Sequence, residues 1–152
     1  MNLIRQRTNK SNWQSRLFWP ITKLNKEISR FENDNEREPV YGEIFDKDKY
    51  KKLAKLGKVV GVGECGLDYF RLTEGVEEEK KRQKEIFAQQ IQLAKEVGKP
   101  LMIHCWDAYD DLYEILQNNP AEKKGVIHSF VGGYKTANKF IELGYKIGLN
   151  GV

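Results

Sequence analysis

The run Lys58-Val59-Val60-Gly61-Val62-Gly63-Glu64 reads as a short buried strand that ends on a carboxylate. Three more runs of the same kind follow it: Pro100-Leu101-Met102-Ile103-His104-Cys105, Gly125-Val126-Ile127-His128-Ser129-Phe130, and Tyr145-Lys146-Ile147-Gly148-Leu149-Asn150. Helical patterns fill the intervals. Glu77, Glu78 and Glu79 suit the positive end of a helix dipole, and Phe87, Ile91, Ala94 and Gly98 then recur on one face before Gly98 and Pro100 stop the helix. Asp107 is placed to cap the next helix, whose inner stripe is Ala108, Leu112 and Ile115. The last interval carries Ala137, Phe140 and Ile141 and ends at Gly144. Strand and helix in strict alternation predict parallel βα units. The fold class is therefore α/β with at least four parallel strands.

Working outward, Lys49 to Leu56 predicts a short helix presenting Tyr50, Leu53 and Ala54 to the sheet. Leu24, Ile28 and Phe31 also have helical spacing, Pro20 suits a helix start, and residues 32–39 read as a linker. Residues 1–30 carry seven basic side chains against Glu27 alone, within a chain of net charge +4. The division drawn is a basic segment over 1–38, helical or poorly ordered, and a domain over 39–152. A solvated tail, a nucleic-acid contact and a transit segment all fit the basic arm, so it is left unassigned. Trp13 and Trp19 beside arginines suit a single-strand stacking surface, and ordinary tail composition explains them nearly as well.

The 152 residues allow one domain and little more, and 39% hydrophobic residues exclude a wholly disordered chain. No apolar run approaches the roughly 20 residues of a membrane helix, so no membrane partner is expected. Two cysteines, Cys65 and Cys105, fit neither a disulfide framework nor a Cys-based zinc site. They point to a reducing compartment, and the cytoplasm is the expected location.

Each strand ends on a polar residue: Glu64, His104, His128 and Asn150, at intervals of 40, 24 and 22 residues. These are the C-terminal ends of parallel strands, where α/β barrels assemble active sites. A single histidine at such a place is usually structural, but the chain's two histidines both stand there, with a glutamate on the preceding strand. Imidazole and carboxylate together suit zinc, manganese or magnesium. Asp68 and Asn150 are candidate contacts, with loop capping and ordinary strand termination as the plainer readings. Strand alternation turns Cys65 and Cys105 away from the cleft, as packing residues. Gly132 and Gly133 could expose amides to phosphate, although a plain turn explains the pair better.

The stretches GVGECGLDYFR (61–71), QKEIFAQQIQLAKEVGKPLMIHC (83–105), GVIHSFVGG (125–133) and GYKIGLNG (144–151) resemble the TatD family of metal-dependent deoxyribonucleases. The resemblance runs over about residues 40–152. It implies a TIM-barrel hydrolase that cleaves DNA, often as an exonuclease, with two divalent ions in the intact site. By position it implies that Glu64 is the bridging metal ligand that positions the activated water, with His104 and His128 as further ligands.

The departures from the family pattern are specific. An HxH pair on the first strand is missing, since residues 1–60 contain no histidine, and so is a late-strand aspartate. Trp106 stands where an arginine is common. The resemblance thus implies a partial barrel, with the N-terminal HxH strand and the last strands absent, and three ligands that cannot complete a two-metal site. Two rivals to a DNA hydrolase follow. One keeps the metals but cleaves an amide or ester. The other is a truncated, catalytically impaired half-barrel acting through association with another chain at its open sheet edges.

Overall fold

The computed structural model of the chain describes residues 3–5 (backbone), 45–70, 72–73 and 75–150. The expected helix around Leu24–Phe31, Trp13, Trp19 and the boundary at 38/39 lie outside the described residues.

The described elements are β1 (Leu3–Arg5), α1 (Lys47–Ala54), β2 (Val59–Asp68), α2 (Val76–Val97), β3 (Leu101–Trp106), α3 (Tyr109–Asn118), β4 (Gly125–Ile127), α4 (Tyr134–Glu142) and β5 (Lys146–Ile147). They form one open sheet in the order β1-β2-β3-β4-β5. Strands β2 to β5 are parallel, as the strand–helix alternation requires. Strand β1, which the apolar pattern does not mark, lies antiparallel on the outer side of β2.

Helix formation follows the end signals closely. Asp46 caps α1 by accepting the Lys49 amide at 3.0 Å, and Tyr50 and Ala54 are buried as their spacing predicts. Gly98 closes α2 in the left-handed conformation, its N–H turned back to Ala94 and Lys95 carbonyls. The inner face of α2 buries Phe87, Ile91, Leu93 and Ala94 against the sheet. Completely burying side chains such as Phe87 and Ile91 contributes about 2 kcal/mol each. Glu96 ties α2 to α1 through Lys47 at 2.5 Å and Lys51 at 2.6 Å.

Three local expectations are corrected. Asp107 does not cap α3: the N-cap is Ala108, without a side-chain hydrogen bond, and Asp107 sits at φ 53°. The chain needs that residue to turn sharply out of β3. Leu116 joins Leu112 as a fully buried residue of α3, while Ile115 is only partly buried. In α4, Phe140 fills the core, but Ile141, about 100° further round the helix, is 53% exposed.

Side-chain alternation separates two faces of the sheet. Cys65, Leu67, Ile103, Cys105 and Ile127 belong to the core cluster with Phe87, Ile91, Leu112 and Phe140 from the helices. Glu64, His104 and Asp68 occupy alternate positions along β2 and β3, on the other face.

Candidate metal centre

The placement of Glu64 begins with an irregularity in β2. Gly63 pairs with Met102 and Cys65 with Ile103, so Glu64 is an extra residue in the parallel ladder, a β-bulge. Bulges re-aim side chains at functional sites. The Gly63–Glu64 peptide is cis. Beyond the bulge, Gly66 is level with His104 at φ +133°, and a Cβ there would fall 2.0 Å from the His104 carbonyl oxygen. Only glycine permits this approach, which brings β2 against the strand carrying His104.

The three expected residues converge. Glu64 Oε1 lies 2.6 Å from His128 Nε2 and 3.2 Å from His104 Nδ1. Donor atoms of Glu64, His104 and His128 all lie within 4.8 Å of one another, and this is the metal-capable cluster among the described residues. The two imidazole centroids are 5.7 Å apart. His104 Nε2 is buried without a hydrogen bond, with Asp68 Oδ2 3.4 Å away. A buried nitrogen without a hydrogen bond, beside a carboxylate and a second imidazole, fits a divalent cation of the zinc, manganese or magnesium class.

The charges explain how a carboxylate only 2% exposed is tolerated. Burial pushes Glu64 toward the neutral acid, but hydrogen bonds from His104 and His128 outweigh it and hold the carboxyl below its ordinary range. Burial likewise disfavours a charged His104, yet Asp68 and Glu64 prevail and raise its pKa to about 9.

Residues that sequence reasoning passed over hold these groups in place. Ser129, at φ 50°, puts Oγ 3.0 Å from His128 Nδ1 and accepts a hydrogen bond from Asn150 Nδ2 at 2.6 Å. Asn150 therefore reaches the centre through Ser129. Gln83 of α2, completely buried, accepts the Asp68 amide at 2.8 Å and donates to the Asp68 carbonyl at 2.9 Å. Its polar character at helical spacing from Phe87 and Ile91 was the available signal. Asp68 serves both readings considered for it: Oδ1 accepts the Phe70 amide at 3.0 Å, and Oδ2 faces His104.

The remaining candidates fall away from the centre. Cys65 and Cys105 are buried free thiols, with burial pushing Cys65 up and Cys105 up to about 12. Gly133 is the N-cap of α4, and a Cβ on Gly132 would meet the Phe130 ring at 2.6 Å, so packing accounts for this glycine. No described helix is long and apolar enough to cross a membrane.

Comparison with known proteins bears on the family and the fold. The family model described as TatD related DNase matches residues 32–152. An uncharacterized metal-dependent hydrolase, BU355 of Buchnera aphidicola (subsp. Acyrthosiphon pisum, strain APS), is 40% identical over 106 residues, covering 69% of this chain and 39% of the relative. The uncharacterized metal-dependent hydrolase YcfH of Escherichia coli K12 is 36% identical over 109 residues, covering 71% and 40%. Among solved structures, the TatD homologue YjjV of Escherichia coli K12 superposes with a TM-score of 0.61 at 32% identity, covering 66% of this chain and 38% of that one. The chain spans about two fifths of the length of the curated relatives it matches. The four parallel strands match part of the TIM barrel of that neighbour.

Proposed function

The chain belongs to the TatD related DNase family, and from that premise we propose that it is a divalent-metal-dependent hydrolase of DNA phosphodiester bonds, of exonuclease type. The observation that carries the reading is the convergence of Glu64, His104 and His128, from three successive parallel strands, on one point. A bound magnesium, manganese or zinc ion, one of two in the intact family site, supplies hydroxide near neutral pH and Lewis-acid stabilisation of phosphoryl oxygens.

The chain's own residues then have distinct tasks. Glu64 would hold the metal as the bridging carboxylate of the site and would orient the attacking water. His104 and His128 would be the further ligands. Ser129 stands at His128 Nδ1, where a partner fixes which ring nitrogen carries the proton. Asp68 Oδ2 lies 3.4 Å from His104 Nε2 and places a negative charge beside that imidazole. The two buried free thiols suit a reducing cytoplasm.

A manganese or magnesium titration coupled to cleavage of labelled single-stranded DNA tests the reading. Metal-dependent cleavage that disappears in Glu64→Ala supports it, and a folded wild-type chain that leaves DNA intact overturns it. A panel of small esters and amides run in parallel separates the bond cleaved.

One observation favours a second reading. Strand β5 is an edge of the sheet among the described residues, with Leu149 just beyond it 77% exposed. Such an edge can pair with another chain. An impaired part-barrel that works through association predicts a dimer or larger species by light scattering, whereas a monomer that cleaves DNA excludes it.

A further inference from the structure

Two aromatic rings stand beside the metal centre without being used by it. Trp106 lies two residues after His104 on β3, so alternation keeps its indole on the face of the sheet that carries the centre. The Trp106 and His104 ring centroids are 6.5 Å apart. Phe70 stacks on Trp106 with centroids 4.7 Å apart and planes within 19°. Despite their size the rings remain 38% and 41% exposed, Phe70 and Trp106 respectively. A core aromatic would be almost fully buried, and elsewhere in this chain Phe87 and Phe140 are.

The pair is also anchored to the centre. The Phe70 amide is held by Asp68 Oδ1, and the other oxygen of the same carboxylate faces His104. Asp68 is itself clamped through its backbone by Gln83. One buried carboxylate thus fixes both a candidate ligand and the aromatic turn, so the spacing between rings and centre is set by the fold.

We infer that Phe70 and Trp106 form a stacking platform for a nucleobase next to the phosphodiester being cleaved. The inference rests on the DNA-hydrolase reading and adds a binding subsite to it. A flat base continues the nearly parallel stack of the two rings, and stacking tolerates any base because every base offers a π-face. A base inside a duplex already has both faces covered by its neighbours. The platform therefore selects single-stranded or frayed ends, with the base seated on the rings and the adjoining phosphate over Glu64, His104 and His128.

Fluorescence anisotropy with three cleavage-resistant phosphorothioate probes in magnesium, a hard ion that coordinates sulfur poorly, tests this: a short single strand, the same strand made abasic, and the corresponding duplex. Wild-type protein is expected to bind the base-bearing single strand more tightly than the other two. Trp106→Ala should weaken binding of that strand by about 5- to 100-fold and leave the abasic strand within about twofold. Trp106→Phe, which keeps a flat ring, should retain most of the preference and guards against a fold defect in the alanine variant. Equal binding of base-bearing and abasic strands by wild type, or wild-type affinity in Trp106→Ala, overturns the platform while leaving the DNA reading intact. Failure of wild type to bind any of the probes overturns the DNA reading, and the platform with it.

Discussion

Glu64 and His128 stand 64 residues apart in the chain, yet Glu64 Oε1 and His128 Nε2 are 2.6 Å apart. The contact crosses β3, because β2 and β4 flank that strand on either side. Glu64 makes it from a bulge, where it stands outside the regular ladder. His104 makes the third corner, also within hydrogen-bonding distance of Glu64 Oε1. A carboxylate so enclosed by imidazoles is held ionised without exposure to water, the condition a ligand needs before a cation arrives.

Manganese or zinc is expected to raise the melting temperature of the purified chain, since a ligand that binds only the native state stabilises it. His104→Ala and His128→Ala should each remove most of that rise. Ser129→Ala, which takes away the partner of His128 Nδ1 and the acceptor for Asn150 Nδ2, should lower metal affinity by about tenfold. Calorimetric titration checks all three, and unchanged affinity in both histidine variants would refute the ligand assignment.

Gln83→Leu keeps the size of the side chain but deprives the Asp68 amide and carbonyl of their partners. Two buried backbone groups left unsatisfied should cost about 2–4 kcal/mol. Urea unfolding measures this, and a loss below the cost of one such group would mean that water replaces the glutamine.

Gly66→Ala should cost about 4 kcal/mol or more, enough to prevent folding at ordinary temperature. Its Cβ would lie 2.0 Å from a backbone oxygen, at a φ of +133° that other residues rarely adopt. Gly132→Ala meets the Phe130 ring rather than backbone and should be milder. Soluble yield and thermal melting of the two variants, side by side, give the order.

Acid should weaken the junction between α1 and α2. Hydrogen bonds from Lys47 and Lys51 lower the Glu96 pKa from 4.5 to about 2. A group depressed in the folded state contributes stability above its unfolded pKa and loses it as pH falls through its folded one. The contribution of Glu96 is therefore complete above pH 4.5 and disappears toward pH 2. Melting temperatures of wild type and Glu96→Gln should differ near neutrality and converge as pH approaches 2, with the gap reduced by salt.

The regularities of this chain are local and were legible in its sequence. Apolar runs alternate with amphipathic stretches, Gly98 marks a helix end, and Phe87, Ile91 and Phe140 recur at core spacing. Parallel strands joined by helices must bring their C-terminal ends together, so Glu64, His104 and His128 were placed at one site by connectivity alone. Cys65 and Cys105 were likewise placed on the opposite face by the two-residue period.

What alternation could not supply was every place where the backbone leaves its period. The extra residue at Glu64, the left-handed turns at Asp107 and Ser129, and the close approach at Gly66 depend on which strand lies alongside, and no residue encodes its neighbour by itself. Asp107 lost its expected capping role to such a turn. Gln83, Ser129 and the Phe70–Trp106 stack gained theirs because distant segments were packed to within hydrogen-bonding or stacking distance. Apolar periodicity and turn residues set the strand–helix order and the strands that carry the candidate ligands, although β2 runs on past Glu64 to Asp68 and β3 past His104 to Trp106. The tertiary structure alone decided their distances, their hydrogen-bond partners and the aromatic surface beside them, because those are set by contacts between segments far apart in the chain.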